Sequence, residues 1–169
     1  YQGAERLSYG AGFYQAYFGP EEGWPIVALA QWGRGEEAKR QAEIMLSAEN
    51  RDKSNVHHQS RNGTSAWYTA EVARLTRDAA WLAKVASALD ENAEWTIAAR
   101  RSTQSKKSPL TRGLLPAHIY GGDVRDPATS LYASMVCFKG LVETAAIYRE
   151  LGSPEMKARA ERYEQEAAE

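Results

Sequence analysis

The sequence predicts an all-α fold. Six segments carry apolar residues at helical spacing, and no segment shows the period-two alternation of a strand. Short connections alternate with long ones, and each short connection carries helix-stop or helix-start residues. With 169 residues, 43% hydrophobic and 25% charged, the chain has the composition of one globular domain spanning 1–169.

The elements follow in order. Trp24, Val27, Ala28 and Trp32 mark a first helix over about 22–32, which Gly33-Arg34-Gly35 stops. Ala38, Ala42, Met45 and Leu46 mark a second over about 36–49. Residues 50–61 are polar and read as a loop, with Asn62 or Thr64 capping a third helix that carries Trp67, Ala70, Val72 and Leu75. Thr76-Arg77-Asp78 is a short turn whose Asp78 caps a fourth helix with Trp81, Leu82, Val85 and Leu89. A connection over about 102–126 follows, longer than compact domains normally use without a functional reason. The fifth helix, about 127–151, has Leu131, Met135, Phe138, Leu141, Val142, Ala145 and Tyr148 on one broad face. Asp126 before Pro127 reads as its cap. Gly152 is a C′ residue, Ser153 an N-cap and Pro154 the first residue of a charged sixth helix.

Charge and motifs exclude several classes. A net charge of −1 gives no field for nucleic acid or anionic membrane. The cluster Arg100, Arg101, Lys106, Lys107 and Arg112 lacks the interleaved aromatics of a nucleic-acid track and reads as a solvated loop. No apolar run has membrane-spanning length, and no segment is organised like a signal peptide. There is no phosphate-binding glycine loop, no Gly-x-Ser-x-Gly elbow and no Cys–His nucleophile pair. The lone Cys137 reads as a buried, inert thiol. His57 and His58 have no further metal ligand at suitable spacing, so neither metal nor cofactor is expected. The compartment is left open. Tyr1 at one end and a helical pattern running into Glu169 at the other read as part of a longer polypeptide.

Connection lengths carry a geometric expectation. Short turns join antiparallel neighbours, so three αα-hairpins are expected. The long loops 50–61 and 102–126 and the segment 14–24 then gather at one end. The first, third and fifth helices are the more apolar and form the expected inner layer. Gly35, Asp78 and Pro154 mark equivalent turns, 43 and 76 residues apart, as in an αα repeat with one long insertion. An open solenoid and a closed toroid both satisfy this pattern.

Three stretches together carry a family likeness: Tyr17-Phe18-Gly19-Pro20-Glu21-Glu22-Gly23-Trp24-Pro25, Arg61-Asn62-Gly63-Thr64-Ser65-Ala66-Trp67-Tyr68, and Gly113-Leu114-Leu115-Pro116 through Gly121-Gly122-Asp123. In order and spacing the chain resembles the six-hairpin glycosidases, the (α/α)6 toroids that include glucoamylase-, trehalase- and rhamnosidase-like enzymes. The resemblance implies about three of six hairpins, a carbohydrate ligand, and either the remaining half of the toroid or a second chain as partner. It also implies a site where loops gather at the starts of the inner helices.

Glycoside hydrolysis uses two carboxyl groups. The resemblance points to Asp123 and Asp126 as catalytic candidates, Asp123 being favoured because the cap role would hold Asp126 ionised. The second carboxylate is expected outside this sequence, which leaves the chain alone inactive or very weak. Sugar contacts are expected from Glu22, Trp24, His58, Arg61, Asn62, Trp67, Tyr120 and Arg125, because flat aromatics stack on sugar faces and charged or amide groups bond hydroxyls. Glu22 also suits a helix start and Asn62 an N-cap, without any ligand. Trp32, Trp81 and Trp95 read as core. Two alternatives stand beside this reading. One is a non-catalytic αα-repeat interaction module. The other is a different toroid enzyme, a sugar epimerase or polysaccharide lyase, for which His57, His58 and His118 supply candidate bases.

Overall fold

A computed structural model describes residues 20–47, 56–119 and 126–169, without the side chains of Pro20 and Glu22. The described residues form six helices and no strand: α1 (Pro20–Gln31), α2 (Gly35–Met45), α3 (His58–Thr76), α4 (Ala79–Arg101), α5 (Leu131–Leu151) and α6 (Pro154–Ala168). The all-α reading is borne out.

Cap chemistry explains most of the boundaries. Asp78 accepts the Trp81 N–H at 2.9 Å and starts α4, as the sequence predicts. Ser153 and Pro154 start α6 in the same way. Gly33 turns the chain out of α1 at φ +79°, a conformation that favours glycine. Arg77 takes φ 56° at the end of α3, a position where glycine is usual. Gly152 ends α5 at φ −75°, in extended backbone rather than the left-handed region. Its value is room: a Cβ there would stand 2.4 Å from the Tyr148 carbonyl oxygen.

Two helix starts differ from expectation. α3 begins at His58, with His57 in the cap position and no side-chain cap bond, so neither Asn62 nor Thr64 is its cap. Asn62 instead points across to α4, donating to Asn92 O and Thr96 Oγ1, both at 3.0 Å. α5 begins at Leu131, and its cap is Ser130, whose Oγ accepts the Ala133 N–H at 3.1 Å. Asp126 therefore does not cap α5. It lies exposed in the connection, where His118 and Ala128 pair by reciprocal backbone bonds of 3.1 and 3.0 Å. In both cases a polar residue competent to cap lies within four residues of the real boundary, and tertiary packing decides between them.

α3 is central. It packs on α1, α2, α4 and α5, and its contact with α5 is the most extensive in the molecule. Contacts advance together along this pair. Gly63 meets Val136 and Cys137, Arg74 Nη2 lies 2.6 Å from Glu143 Oε2, and Arg77 reaches Glu150. α3 and α5 thus run in one direction. α4 runs against α3, since Asn62 meets Thr96 while Ser65 meets Asn92.

Glycine sets the approach. A Cβ at Gly63 would stand 2.4 Å from the Cys137 nitrogen, and one at Gly140 would stand 2.5 Å from the Gly63 carbonyl oxygen. Gly23 of α1 lies against the Tyr68 ring with no room for a Cβ. Cys137 is sealed beneath the α3–α5 crossing, its Sγ 3.0 Å from the Gln59 carbonyl oxygen, and burial pushes its thiol pKa up to about 12. The inert-thiol expectation agrees with this environment. Trp32, expected in the core, is instead 79% exposed at the end of α1.

α6 packs on α5 and is joined to α4 by polar groups. Asp90 Oδ1 lies 3.0 Å from Tyr148 Oη and 2.9 Å from Tyr163 Oη, and Arg159 pairs with its other oxygen at 3.2 Å. Both phenols are fully buried, and burial, reinforced by the Asp90 charge, raises their pKa values. Glu166, also buried, is held by Arg100 and Arg101.

Glycine to alanine inside a helix ordinarily gains up to about 1 kcal/mol. Gly63→Ala and Gly140→Ala should each lose about 2–3 kcal/mol instead, because backbone must move to admit the methyl. Urea unfolding of the two variants measures the sign directly.

Candidate functional site

Residues from separate elements meet around the first turns of α3. His58 Nδ1 lies 3.2 Å from His118 Nε2, which joins the start of α3 to the long connection before α5. The two rings stand edge to face with centroids 4.4 Å apart, and Trp95 of α4 meets the His58 ring edge-on at 5.4 Å. Gln59 Nε2 donates to the Pro116 carbonyl oxygen at 3.0 Å and fixes the same connection. A hydrogen bond between two imidazoles needs one ring to donate and the other to accept, which ties their tautomers together.

Arg61, one turn further on, is 7% exposed, so its guanidinium is buried at the start of α3. Burial lowers the His57 pKa, Arg61 lowers it further, and Glu21 of α1 opposes them. The described parts of the connections 50–61 and 102–126 therefore do meet, through His58 with His118 and Gln59 with Pro116.

A second, aromatic group lies further along α3. Trp24 of α1 packs edge-on against Trp67 at 5.5 Å and Tyr68 at 5.4 Å. Trp67 stacks on Tyr68 at 4.8 Å, and Lys139 Nζ of α5 lies 5.6 Å from the Trp67 ring centre. Tyr68 is buried, which pushes its phenol pKa up to about 12, with Tyr132 and Glu21 adding to the effect. Trp24 is 60% exposed and Tyr132 43%. The group thus presents a largely exposed indole, backed by the half-buried Trp67 and the buried Tyr68 and flanked by a cation.

The candidates from the sequence divide as follows. Trp24 and Trp67 share the aromatic group. His58 and Arg61 share the start of α3 with Asn62, whose two amide hydrogens are committed to α4, so only its amide oxygen remains for a ligand. Asp126 is exposed in the connection. Asp123, Tyr120, Arg125 and the side chain of Glu22 lie outside the described residues. Gln59 and Lys139 join these groups without having been singled out in the sequence, and Trp95, read there as core, meets His58. Gln59 sits in the first turn of α3 while Trp95 and Lys139 sit two or more turns inside their helices, and only knowledge of which elements touch identifies them.

The arrangement offers imidazoles, a buried guanidinium and aromatic faces. Among the described residues no three His, Cys, Asp or Glu side chains gather to hold a metal ion. No described helix is long and apolar enough to cross a membrane. The chain matches no family model, no curated protein and no solved structure.

His57 stays neutral in the fold at a pH where the unfolded chain takes up a proton. Stability should therefore be full above about 6.5, the ordinary imidazole value, and fall as pH drops toward the lowered folded value. Urea midpoints at pH 7.5 and 5.5 test this. His57→Gln should reduce the difference between them, and an unchanged difference would exclude His57 as its source.

Proposed function

We propose that the chain is about half of an (α/α)6 toroid built of antiparallel αα-hairpins, and that it binds carbohydrate in the manner of glycoside hydrolases. The ligand lies across Trp24 in α1 and Trp67 midway along α3. The observation that carries this is the aromatic group itself. An indole 60% exposed is held at fixed angles by two further rings, with Lys139 alongside. Rigid aromatic surface with a nearby polar rim is what a sugar face and its hydroxyls require, since ordering costs are already met within the protein.

The helix order is consistent with this architecture. α1, α3 and α5 contact one another in sequence while α2, α4 and α6 pack behind them. His58, His118 and Arg61 supply hydrogen-bonding groups for sugar hydroxyls, and Asp123 and Asp126 are the carboxylates from which hydrolysis would draw its acid. A second catalytic carboxylate, from the remaining half of the toroid or a second chain, completes the pair that glycoside cleavage needs. The chain by itself is a binding half, with hydrolysis absent or very weak.

Titrating the chain with neutral and uronic-acid oligosaccharides while following tryptophan fluorescence tests the reading. At least one class should shift the spectrum. Trp24→Ala should weaken that binding about tenfold, roughly 1.4 kcal/mol, with the unfolding midpoint little changed because the side chain is mostly exposed. If no oligosaccharide perturbs the fluorescence, or Trp24→Ala binds as the parent does, the proposal is wrong.

A further inference from the structure

A second surface stands apart from the aromatic group. Leu131, Met135 and Phe138 of α5 are 61%, 60% and 52% exposed. Their spacing of four and three residues sets them in one stripe along the helix. At about 100° per residue, the stripe lies on the side of α5 away from Val136 and Gly140, which face α3. It borders a groove of about 610 Å³ whose walls include Ile97, Leu114, Leu115 and Leu141. Thr103 Oγ1 donates to the Leu114 carbonyl oxygen, and the Leu115 N–H donates to Ser134 Oγ at 3.1 Å, so the connection forming one wall is closed on itself and pinned to α5. Three large apolar side chains exposed in a row beside a fixed groove form a patch of the kind that marks an interaction surface.

Charge identifies what the groove accepts. Arg100 and Arg101 at the end of α4 share Glu166, with Glu169 also near Arg100. Arg112 lines the groove and is exposed, and Lys106 and Lys107 lie on the same connection. None of these last three has an ion pair with a described residue. Glu166 and Glu169 thus balance Arg100 and Arg101, which leaves Arg112 as the unbalanced cation on the rim, while the floor is apolar.

We infer that this groove docks an amphipathic helix of a partner polypeptide, with apolar residues at i, i+4 and i+7 and acidic residues at the end beside Arg112. The apolar ridge of such a helix seats between Leu131, Met135 and Phe138 and the wall at Leu114 and Leu115. Its acidic turn meets Arg112. This extends the row in which α1 packs on α3 and α3 on α5. The inference rests on the α5 stripe and the cationic rim, and does not depend on carbohydrate binding at Trp24.

Three synthetic 21-residue helical peptides with the full chain provide the test. One has leucines at the stated spacing and a glutamate-rich first turn, one has lysines in place of those glutamates, and one has serines in place of the leucines. Calorimetry should show binding of the first, at least tenfold weaker binding of the second, and none of the third. Met135→Glu with Phe138→Glu should abolish the first interaction, with the helical circular dichroism unchanged because both side chains are exposed. Equal affinity for all three peptides, or unaltered binding by the double variant, overturns the proposal. Sedimentation of the chain alone distinguishes a second copy: a dimer that the double variant dissociates would assign the stripe to self-association and overturn it as well. Neither result alters what oligosaccharide titration reports.

Discussion

Everything in this fold depends on two helix backbones touching. Gly63 of α3 and Gly140 of α5 stand where side chains would otherwise hold the axes apart. That closeness seals Cys137 and lets polar side chains at the start of α3 reach the connection before α5. His58 meets His118 and Gln59 meets Pro116 because α3 is pressed against the helix that the connection precedes. Close backbone approach also multiplies the number of neighbours each side chain has, at a cost in helix propensity that the packing offsets.

The two layers are held by different physics. α1, α3 and α5 meet mainly through small residues, apolar side chains and rings, with the ion pairs Arg74–Glu143 and Arg77–Glu150 added between α3 and α5. α4 meets α5 and α6 through carboxylates, guanidinium groups and phenols: Asp90 with Tyr148 of α5 and with Tyr163 and Arg159 of α6, and Glu166 with Arg100 and Arg101. Buried polar groups of this kind specify one arrangement strongly, because removing any single partner leaves another desolvated and unmatched. The aromatic group at Trp24 lies on the apolar layer, away from this network, and so leaves an open surface without weakening the joint between layers.

Much of this was legible in the sequence. Helical spacing located all six helices, and Asp78, Ser153 and Pro154 placed two starts to the residue. The starts of α3 and α5 were misplaced for one reason. Asn62 and Asp126 both have the chemistry of caps, and sequence offers no means of seeing that α4 engages Asn62, or that Ser130 stands closer to the first turn of α5. The gathering of loop regions followed from connection lengths alone, and His58 with His118 realises it. The particular partners did not follow. Trp32 is apolar at helical spacing yet exposed, and Lys139 looks like an ordinary surface cation until Trp67 is beside it. The sequence reading put Gly63 at a helix start between Asn62 and Thr64, and its pairing with Gly140 inside α3 and α5 needed the third dimension.

Asp90 has a consequence beyond its bonds. One carboxylate serves a phenol on α5, a phenol on α6 and a guanidinium on α6, while standing on α4. No one of these three helices can leave its place without stripping a partner from the other two. They therefore open together, as a single cooperative unit, because shared hydrogen bonds and an ion pair tie α4 to α5 and α6.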